Sequence, residues 1–215
     1  MSKKLRILNA FAGIGGNRLY WDDIDGVDVE VTAVEFDPAI AEAYKSRFPN
    51  DTVIVGDTKQ YLLDHYKEFD FIWASPPCQT HTQIRLCGVR KGDCEPVFPD
   101  MSLWEMIIFL NTYLPKHTKF VVENVRPFYK PLILPSAEID RHLYWSNFPI
   151  SEIKIQKERI HDEVKIADFH KLGLKDTGIK NKIQVVRNQV NYETGKHILE
   201  CALNKIQHKQ GGLFE

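Results

Sequence analysis

Cysteine is scarce in this sequence, and it lacks the spacing that a disulfide scaffold or a structural zinc site requires. The chain has four cysteines among 215 residues, and none of them forms a Cys-x-x-Cys pair. Disulfide-held secreted domains are far richer in cysteine, and structural zinc sites bring their ligands in closely spaced pairs. We therefore expect free thiols, no metal site and a cytoplasmic location.

Long apolar runs and a strong charge of one sign are also missing. No stretch approaches the roughly 20 apolar residues of a membrane-spanning helix. The first residues, Met-Ser-Lys-Lys-Leu-Arg, lead directly into a strand-like segment without a signal-peptide core. We expect no membrane association. Because the net charge is only −1, a nucleic-acid partner would have to be held by a local basic patch.

Short apolar runs alternate with helix-like stretches over the first two-thirds of the chain. The runs predict strands at 5–11, 29–36, 52–55, 69–74 and 119–125, with a further strand at 143–148. Helices are predicted from about residue 16, and at 38–48, 59–66, 101–113 and 194–207. Strands that alternate with helices are typical of a doubly wound sheet, so we predict an α/β fold with a mostly parallel sheet.

Three of the predicted strands end in residues that suit a nucleoside ligand. A glycine-rich turn at 11–16 follows the first strand and would let the backbone approach a ligand closely. Glu35 ends the second strand, where a carboxylate can accept hydrogen bonds from a ribose diol. Asp57 follows the third strand and could accept from an adenine amino group. Either carboxylate alone could be a solvated loop residue, but together they predict a nucleoside pocket.

The segment Ala-Ser-Pro-Pro-Cys-Gln-Thr-His-Thr, residues 74–82, follows the fourth predicted strand. Its prolines end the strand, so Cys78 falls at the carboxyl edge of the sheet, where ligands of open α/β sheets bind. A free cysteine in a loop is often only a small apolar residue. Glu123 ends the fifth strand and would bring a carboxylate to the same edge. The pair suits a nucleophile and a proton donor that share one substrate, although Glu123 alone could be a structural acceptor.

Five motifs follow one another in order at the predicted strand ends: Phe-Ala-Gly-Ile-Gly-Gly, Val-Glu-Phe-Asp-Pro, Gly-Asp, Ser-Pro-Pro-Cys-Gln and Glu-Asn-Val. This set resembles the cofactor and catalytic motifs of the cytosine-5 DNA methyltransferases over roughly the first 125 residues. The resemblance resumes at 187–191, Arg-Asn-Gln-Val-Asn, which is similar to the family's last motif. It implies the Rossmann-like fold of S-adenosylmethionine-dependent methyltransferases.

The resemblance also implies a function, which is transfer of a methyl group from S-adenosylmethionine to carbon 5 of a flipped cytosine in double-stranded DNA, with S-adenosylhomocysteine as product. Cys78 would add to carbon 6 of the ring, and Glu123 would bind ring N3 and supply a proton. Arg141 would contact the base carbonyl and position Glu123, although a surface role for this arginine is equally open. The residues expected to bind the cofactor are Phe11, Ala12, Gly13, Ile14, Gly15, Gly16, Glu35, Phe36, Asp57, Thr58, Pro77, Asn188 and Val190.

A mobile loop after Cys78 would grip the nucleic acid and close over the flipped base. The side chains expected to contact nucleic acid are Gln79, His81, Arg85, Arg90 and Lys91. Gly88 and Gly92 would serve as hinges of this loop. Such a compact methyltransferase would suit a phage or a restriction-modification system, in a bacterial or phage-infected cell.

The sequence departs from the family in its recognition region. Family members carry a sizeable target-recognition domain before the last motif, whereas about 149–185 fill that place here. We expect a catalytic and cofactor-binding domain at 1–148, a reduced recognition region at 149–185 and a returning segment at 186–215. The basic residues of the middle region would hold phosphates or form a solvated face: Lys154, Lys157, Arg159, Lys165, Lys171, Lys175, Lys180 and Lys182. A separate subunit or a homodimer would then complete recognition.

Two other functions stay open at the level of sequence. One is the same chemistry on RNA, as in the tRNA-directed branch of the family, because the motifs do not separate the two substrates. The other is a non-catalytic nucleic-acid-binding or cofactor-binding subunit of a larger assembly. The presence of both Cys78 and Glu123 argues against the second, because a binding module does not need that pair.

Overall fold

A seven-stranded sheet lies at the centre of the computed structural model, which describes residues 4–154, 172, 174 and 177–206. Its strand order is β3-β2-β1-β4-β5-β7-β6, with β1 to β5 parallel and β7 antiparallel to both β5 and β6. The prediction of an α/β fold with a mostly parallel, doubly wound sheet is therefore confirmed. The strands are β1 Leu5–Ala10, β2 Val29–Glu35, β3 Thr52–Val55, β4 Phe71–Ala74, β5 Lys119–Val125, β6 Ala137–Ile139 and β7 His142–Ser146.

Helices cover the sheet and join its strands. Those described are α1 Pro38–Arg47, α2 Thr58–His65, α3 Gln83–Lys91, α4 Ser102–Tyr113, α5 Lys182–Arg187 and α6 Tyr192–Ala202. Asp37 and Asp57 cap α1 and α2, each accepting hydrogen bonds from two backbone N–H groups. A carboxylate at this position satisfies unpaired N–H groups and opposes the helix dipole. The same acidic residues therefore fix where the loops at the carboxyl edge end.

The central strands β1, β4 and β5 bury both of their faces, which explains why they are almost continuously apolar. On one face, Leu8, Ile72 and Val122 pack with α4 residues such as Ile107. On the other face, a second cluster joins the sheet to the C-terminal helix: Ile7, Trp21, Val31, Phe71, Trp73, Val121, Tyr144, Ile198 and Leu199. Because both faces are covered, the edge at the carboxyl ends of the strands is the place left for a ligand.

The helix predicted from about residue 16 is wrong. The stretch from Ala12 to Val27 is a succession of turns, in which several N–H groups bond to the carbonyl three residues back. Glycines, Asn17 and several aspartates make this stretch a poor helix former. A buried ion pair also holds it, since the Arg18 guanidinium bonds both carboxylate oxygens of Asp51 at 3.0 and 3.1 Å. Burial of this pair excludes water from between the turns and β3.

Other boundaries differ from the predictions because tertiary contacts decide them. The segment after Cys78 is not a hinged loop but includes α3, with Thr82 as N-cap and Gly92 as left-handed C-cap. The strand predicted at 143–148 is β7, whereas β6 and α5 were not predicted. The last helix begins at Tyr192, and its regular part ends at Ala202 rather than near residue 207.

Much of the predicted recognition region lies outside the described residues, as do Lys157, Arg159, Lys165, Lys171 and Lys175. Lys154 and Lys180 are exposed. Over the ranges given above, no helix has both the length and the apolar character needed to span a bilayer. The three-part division of the chain stays a prediction.

The C-terminal helix docks through a contact that only glycine allows. A Cβ at Gly195 would lie 2.1 Å from the Asn17 carbonyl oxygen. The Trp21 indole also donates to the Gly195 carbonyl at 3.2 Å. Helix α6 thus lies directly on the backbone of the turn segment.

Substitution Gly195→Ala should destabilise the fold by up to about 2 kcal/mol. Alanine gains about 1 kcal/mol in helix propensity, but overpacking typically costs about 1–3 kcal/mol, and here the obstacle is backbone that cannot rotate away. Urea unfolding followed by circular dichroism would measure the change. Gly56→Ala is the matched control, since a Cβ there meets nothing within 4 Å. Equal stability of the two variants would contradict the close docking of α6.

Candidate active site

A cavity of about 550 Å³ opens at the carboxyl edge of the sheet. Its lining includes every residue predicted to bind the cofactor except Gly15. A Cβ at Gly15 would lie 2.4 Å from the Phe48 ring and 2.8 Å from the Tyr44 ring, so this glycine packs against α1 instead. The prediction missed further lining residues, which lie in the turns, the helix starts and α5: Asn17, Asp37, Ile40, Lys59, Ser75, Asp100, Ser102, Val185 and Gln189.

The Glu35 carboxylate is fixed between two loops. Its Oε2 accepts a hydrogen bond from the Gly13 N–H at 2.9 Å, and its Oε1 accepts from the Asp37 N–H at 3.0 Å. The next residue, Phe36, lines the cavity and keeps 76% of its surface exposed. An exposed aromatic ring beside an anchored carboxylate provides a stacking surface next to a hydrogen-bond acceptor. This pairing suits a nucleoside.

Asp57 caps α2 and also lines the cavity. Its Oδ1 accepts from the N–H groups of Lys59 and Gln60 at 2.8 and 3.2 Å. The other oxygen, Oδ2, is then the one that a ligand amino group would use.

The C-terminal segment forms the far wall of the cavity. A Cβ at Gly16 would lie 2.5 Å from the Val190 carbonyl oxygen, so the glycine turn and the returning segment are in direct contact. Asn188 and Val190 line the cavity, as predicted for the last motif.

The Cys78 loop is tied to the neighbouring strand. The Asn124 side chain, which is buried, donates to the Pro76 carbonyl at 2.9 Å. The Cys78 carbonyl accepts from the His81 N–H at 2.9 Å and so closes a tight turn. Pro77 and Gln79, on either side of the cysteine, both line the cavity. The thiol therefore stands beside the cavity in a loop with little freedom.

Cys78 and Glu123 influence each other electrostatically. Burial raises the pKa of the Cys78 thiol, and the negative charge of Glu123 raises it further. A backbone hydrogen bond and the positive charge of Arg141 act in the opposite direction. Glu123 itself is 6% exposed and lies at the end of β5, next to the strand that ends before Cys78. The structure thus brings together the two residues that the sequence placed at adjacent strand ends.

The basic residue in contact with Glu123 is His142, which sequence reasoning missed. His142 Nε2 lies 3.5 Å from Glu123 Oε1, and both side chains are largely buried. Arg141 is exposed and donates from Nη2 to the Arg187 carbonyl at 2.6 Å, although its charge still reaches Cys78. The strand register is the feature that identifies His142 as the neighbour of Glu123. Glu123 pairs with Tyr144, so residues two apart, such as His142, share its face of the sheet.

The residues predicted to contact nucleic acid divide into exposed and buried ones. Gln79, Arg90 and Lys91 are exposed, and the helix α3 has no buried residue. Arg85 is half-buried and donates from Nη2 to the Glu95 carbonyl at 3.1 Å. His81 is fully buried, which makes the predicted nucleic-acid contact wrong for this structure.

His81 instead belongs to a buried polar chain beneath α3. Its Nδ1 lies 2.6 Å from the Tyr129 hydroxyl oxygen. The same oxygen accepts a hydrogen bond from the Trp104 indole N–H at 3.3 Å. This chain fixes the turn that follows Cys78. Among the described residues, no group of three or more His, Cys, Asp or Glu side chains is placed to hold a metal ion.

Comparison with known proteins identifies this arrangement. The family model for the C-5 cytosine-specific DNA methylase matches residues 5–131, more than half of the chain. The chain belongs to this family. The matched span contains the glycine turn, the anchored Glu35, Cys78 and Glu123.

Individual relatives cover the same part of the chain. The human tRNA (cytosine(38)-C(5))-methyltransferase is 28% identical over 127 residues, 58% of this chain and 31% of the relative. The Spodoptera frugiperda enzyme of the same name is 29% identical over 126 residues, 57% of this chain and 36% of the relative. The chain thus spans about a third of these curated relatives. The solved structure of Spodoptera frugiperda DNMT2 is 24% identical, with a TM-score of 0.41, over 58% of this chain and 37% of that one.

S-adenosylmethionine is the methyl donor of this C-5 cytosine methylase family, and the cavity fits it. Its adenosine requires an aromatic surface and two acceptors, which Phe36, Glu35 and Asp57 offer at one side of the cavity. Phe11 and the glycine turn would hold the middle of the molecule.

Phe36→Ala should weaken S-adenosylhomocysteine binding by roughly 5- to 100-fold, because stacking of a base on an aromatic ring contributes about 1–3 kcal/mol. Titration calorimetry would measure the dissociation constant. Phe98→Ala is the matched control, since Phe98 is 95% exposed but does not line the cavity. Unchanged binding by the Phe36 variant would remove this ring from the cofactor site.

Glu123→Gln should lower the pKa of Cys78, because it removes the neighbouring negative charge that raises it. The thiolate fraction at pH 8 then rises, and alkylation of Cys78 by iodoacetamide becomes several-fold faster. Peptide mass spectrometry would follow each cysteine separately. Glu138→Gln, at an exposed acid of β6, should leave the rate unchanged. Equal rates for all three proteins would mean that Glu123 does not act on the thiol.

Proposed function

We propose that this chain transfers a methyl group from S-adenosylmethionine to carbon 5 of cytosine in DNA. The observation that carries the proposal is the position of Cys78. The residues on both sides of it line the cofactor cavity, and the next strand of the sheet carries Glu123 near its carboxyl end. A nucleophile and an acid at the opening of a cofactor cavity can act on one substrate ring.

The chemistry explains why both residues are needed. Carbon 5 of cytosine is too weak a nucleophile to take a methyl group unaided. The Cys78 sulfur would bond to carbon 6 while Glu123 gives its proton to ring N3, so the electrons of the C5–C6 double bond become available at carbon 5. S-adenosylmethionine supplies an electrophilic methyl group. Loss of the carbon 5 proton and of the C6–S bond then restores the aromatic ring and frees the cysteine.

Because of the electrostatics of the site, the addition of Cys78 to the ring would depend on Glu123. Because burial and Glu123 raise the pKa of Cys78, the resting thiol is predominantly neutral at pH 7. Protonation of N3 makes carbon 6 more electrophilic and so compensates for the scarcity of thiolate.

The residues around this centre would hold the substrate. A base inside a duplex must leave the stack to reach Cys78, at a cost of a few kcal/mol. Helix α3 begins five residues after Cys78 and contains Arg85, Arg90 and Lys91 but no acidic residue. Its exposed basic end suits phosphates, which fix position without reading sequence. Asn188 and Val190 would close the cofactor cavity from the C-terminal side.

RNA is the second candidate substrate. The curated relatives described above are named as tRNA methyltransferases, and the catalytic residues would serve cytosine in either polymer. DNA is proposed first because the matching family model is that of a DNA methylase. The chain spans about a third of these relatives.

The test is methyl transfer from labelled S-adenosylmethionine to unmodified double-stranded DNA and, separately, to tRNA, followed by digestion to nucleosides and mass identification. We expect label in 5-methyldeoxycytidine, and at least a thousandfold loss with Cys78→Ala. Cys87→Ala is the matched control, because this exposed cysteine lies in α3 away from the cavity lining.

Each other outcome points to a different conclusion. Label in 5-methylcytidine of tRNA would replace DNA by RNA as the substrate. Cofactor binding without transfer to either polymer would refute the proposal for the chain acting alone. Transfer that survives Cys78→Ala would refute the covalent route.

A further inference from the structure

The contact between His142 and Glu123 has no part in the function proposed so far. His142 is the first residue of β7 and lies beside the last residues of β5 in the antiparallel register, opposite Val125. Its Nε2 is 3.5 Å from Glu123 Oε1, and the two side chains keep only 12% and 8% of their surfaces exposed. When two buried, titratable groups are in such contact, the protonation state of each depends on that of the other.

Several charges surround this histidine. Glu123 approaches from β5, while Asp140 and Arg141 flank it in the turn between β6 and β7. Burial lowers the pKa of His142 and is the largest effect, and Arg141 acts in the same direction. Glu123 and Asp140 oppose it without reversing it, so the imidazole is neutral near pH 7. Tyr144 and Cys78 complete the set of titratable groups near Glu123.

We propose that His142 is the positioning residue for Glu123, a neutral imidazole whose Nε2–H holds Oε1 so that the second oxygen delivers its proton to the cytosine ring. This inference rests on the proposed function. A neutral partner is suited to this task, because a permanent cation at 3.5 Å would favour the ionised carboxylate, which has no proton to give. Catalytic hydrogen bonds are often long before substrate binds and tighten in the complex, which agrees with the 3.5 Å separation.

The proton balance of the step follows directly. The Cys78 thiol loses its proton to solvent and its sulfur bonds to carbon 6. The O–H of Glu123 breaks, and its proton passes to ring N3. The new carboxylate would accept a hydrogen bond from His142 Nε2–H, which would stabilise the charge as it forms. His142 neither gains nor loses a proton in the step.

The experiment compares three substitutions of His142 that differ in charge and in hydrogen-bonding capacity. His142→Gln keeps a neutral N–H donor, His142→Arg introduces a permanent cation, and His142→Phe removes the donor. The control is His117→Gln, at an exposed histidine before the opposite, amino end of β5. Single-turnover methyl transfer is measured from pH 6 to 10 at saturating S-adenosylmethionine, and thermal unfolding shows that each variant is folded.

The order of the rates carries the decision. With His142→Gln the rate should match that of the unaltered protein, because glutamine keeps a neutral N–H donor. With His142→Arg the rate should fall about tenfold or more, because a permanent cation favours the ionised carboxylate. His142→Phe should lose about tenfold to a hundredfold in rate, as expected when a hydrogen bond to a charged group is removed.

The reverse pattern would overturn the inference. If the arginine variant keeps the native rate and the glutamine variant loses it, the native histidine acts as a cation. If all three folded variants keep the native rate and profile, His142 does not position Glu123. An unaltered protein that transfers no methyl group refutes the proposed function instead, so the two failures are distinguishable.

Discussion

The candidate site depends on the parallel pairing of β4 with β5. Ala74 lies opposite Val122, so the two strands leave the sheet side by side at the same edge. The loop carrying Cys78 follows one strand, and Glu123 follows directly on the other. The hydrogen bond from Asn124 to the Pro76 carbonyl then locks the two ends together in a buried setting, where its loss would leave a polar group unsatisfied. The relative position of thiol and carboxylate is thus a property of the sheet and not of a flexible loop.

The cofactor cavity relies on distant parts of the chain in a comparable way. The glycine turn after β1, Glu35 after β2 and Asp57 after β3 reach the same edge because their strands are parallel. The wall opposite them comes from the segment before α6, which rests on Gly16. Since α6 itself packs on the Asn17 backbone, the cavity is complete only when the C-terminal helix is docked. Folding of the end of the chain and formation of the cofactor site are therefore coupled.

The sequence predicts β1 to β5 to within two residues, because buried parallel strands are continuous apolar runs that are easily recognised. It also predicts the acidic strand ends, Cys78 and Glu123. The sequence does not predict features that depend on contacts between residues distant in the chain. The turns at 12–27 are held by Asp51 and α6, and the burial of His81 depends on Tyr129 and Trp104. The choice between Arg141 and His142 depends on the register of an antiparallel pair, which no local pattern specifies.

Helix α3 differs from the rest of the molecule in having no buried side chain. Its geometry comes from its two caps and from the bridge between Thr82 and Pro127, not from the side chains along its length. Substitutions at its exposed positions therefore change the surface beside Cys78 while leaving the core intact. In evolutionary terms, the sequence of α3 can vary without loss of stability, whereas the edge that carries Cys78 and Glu123 is constrained by the whole sheet.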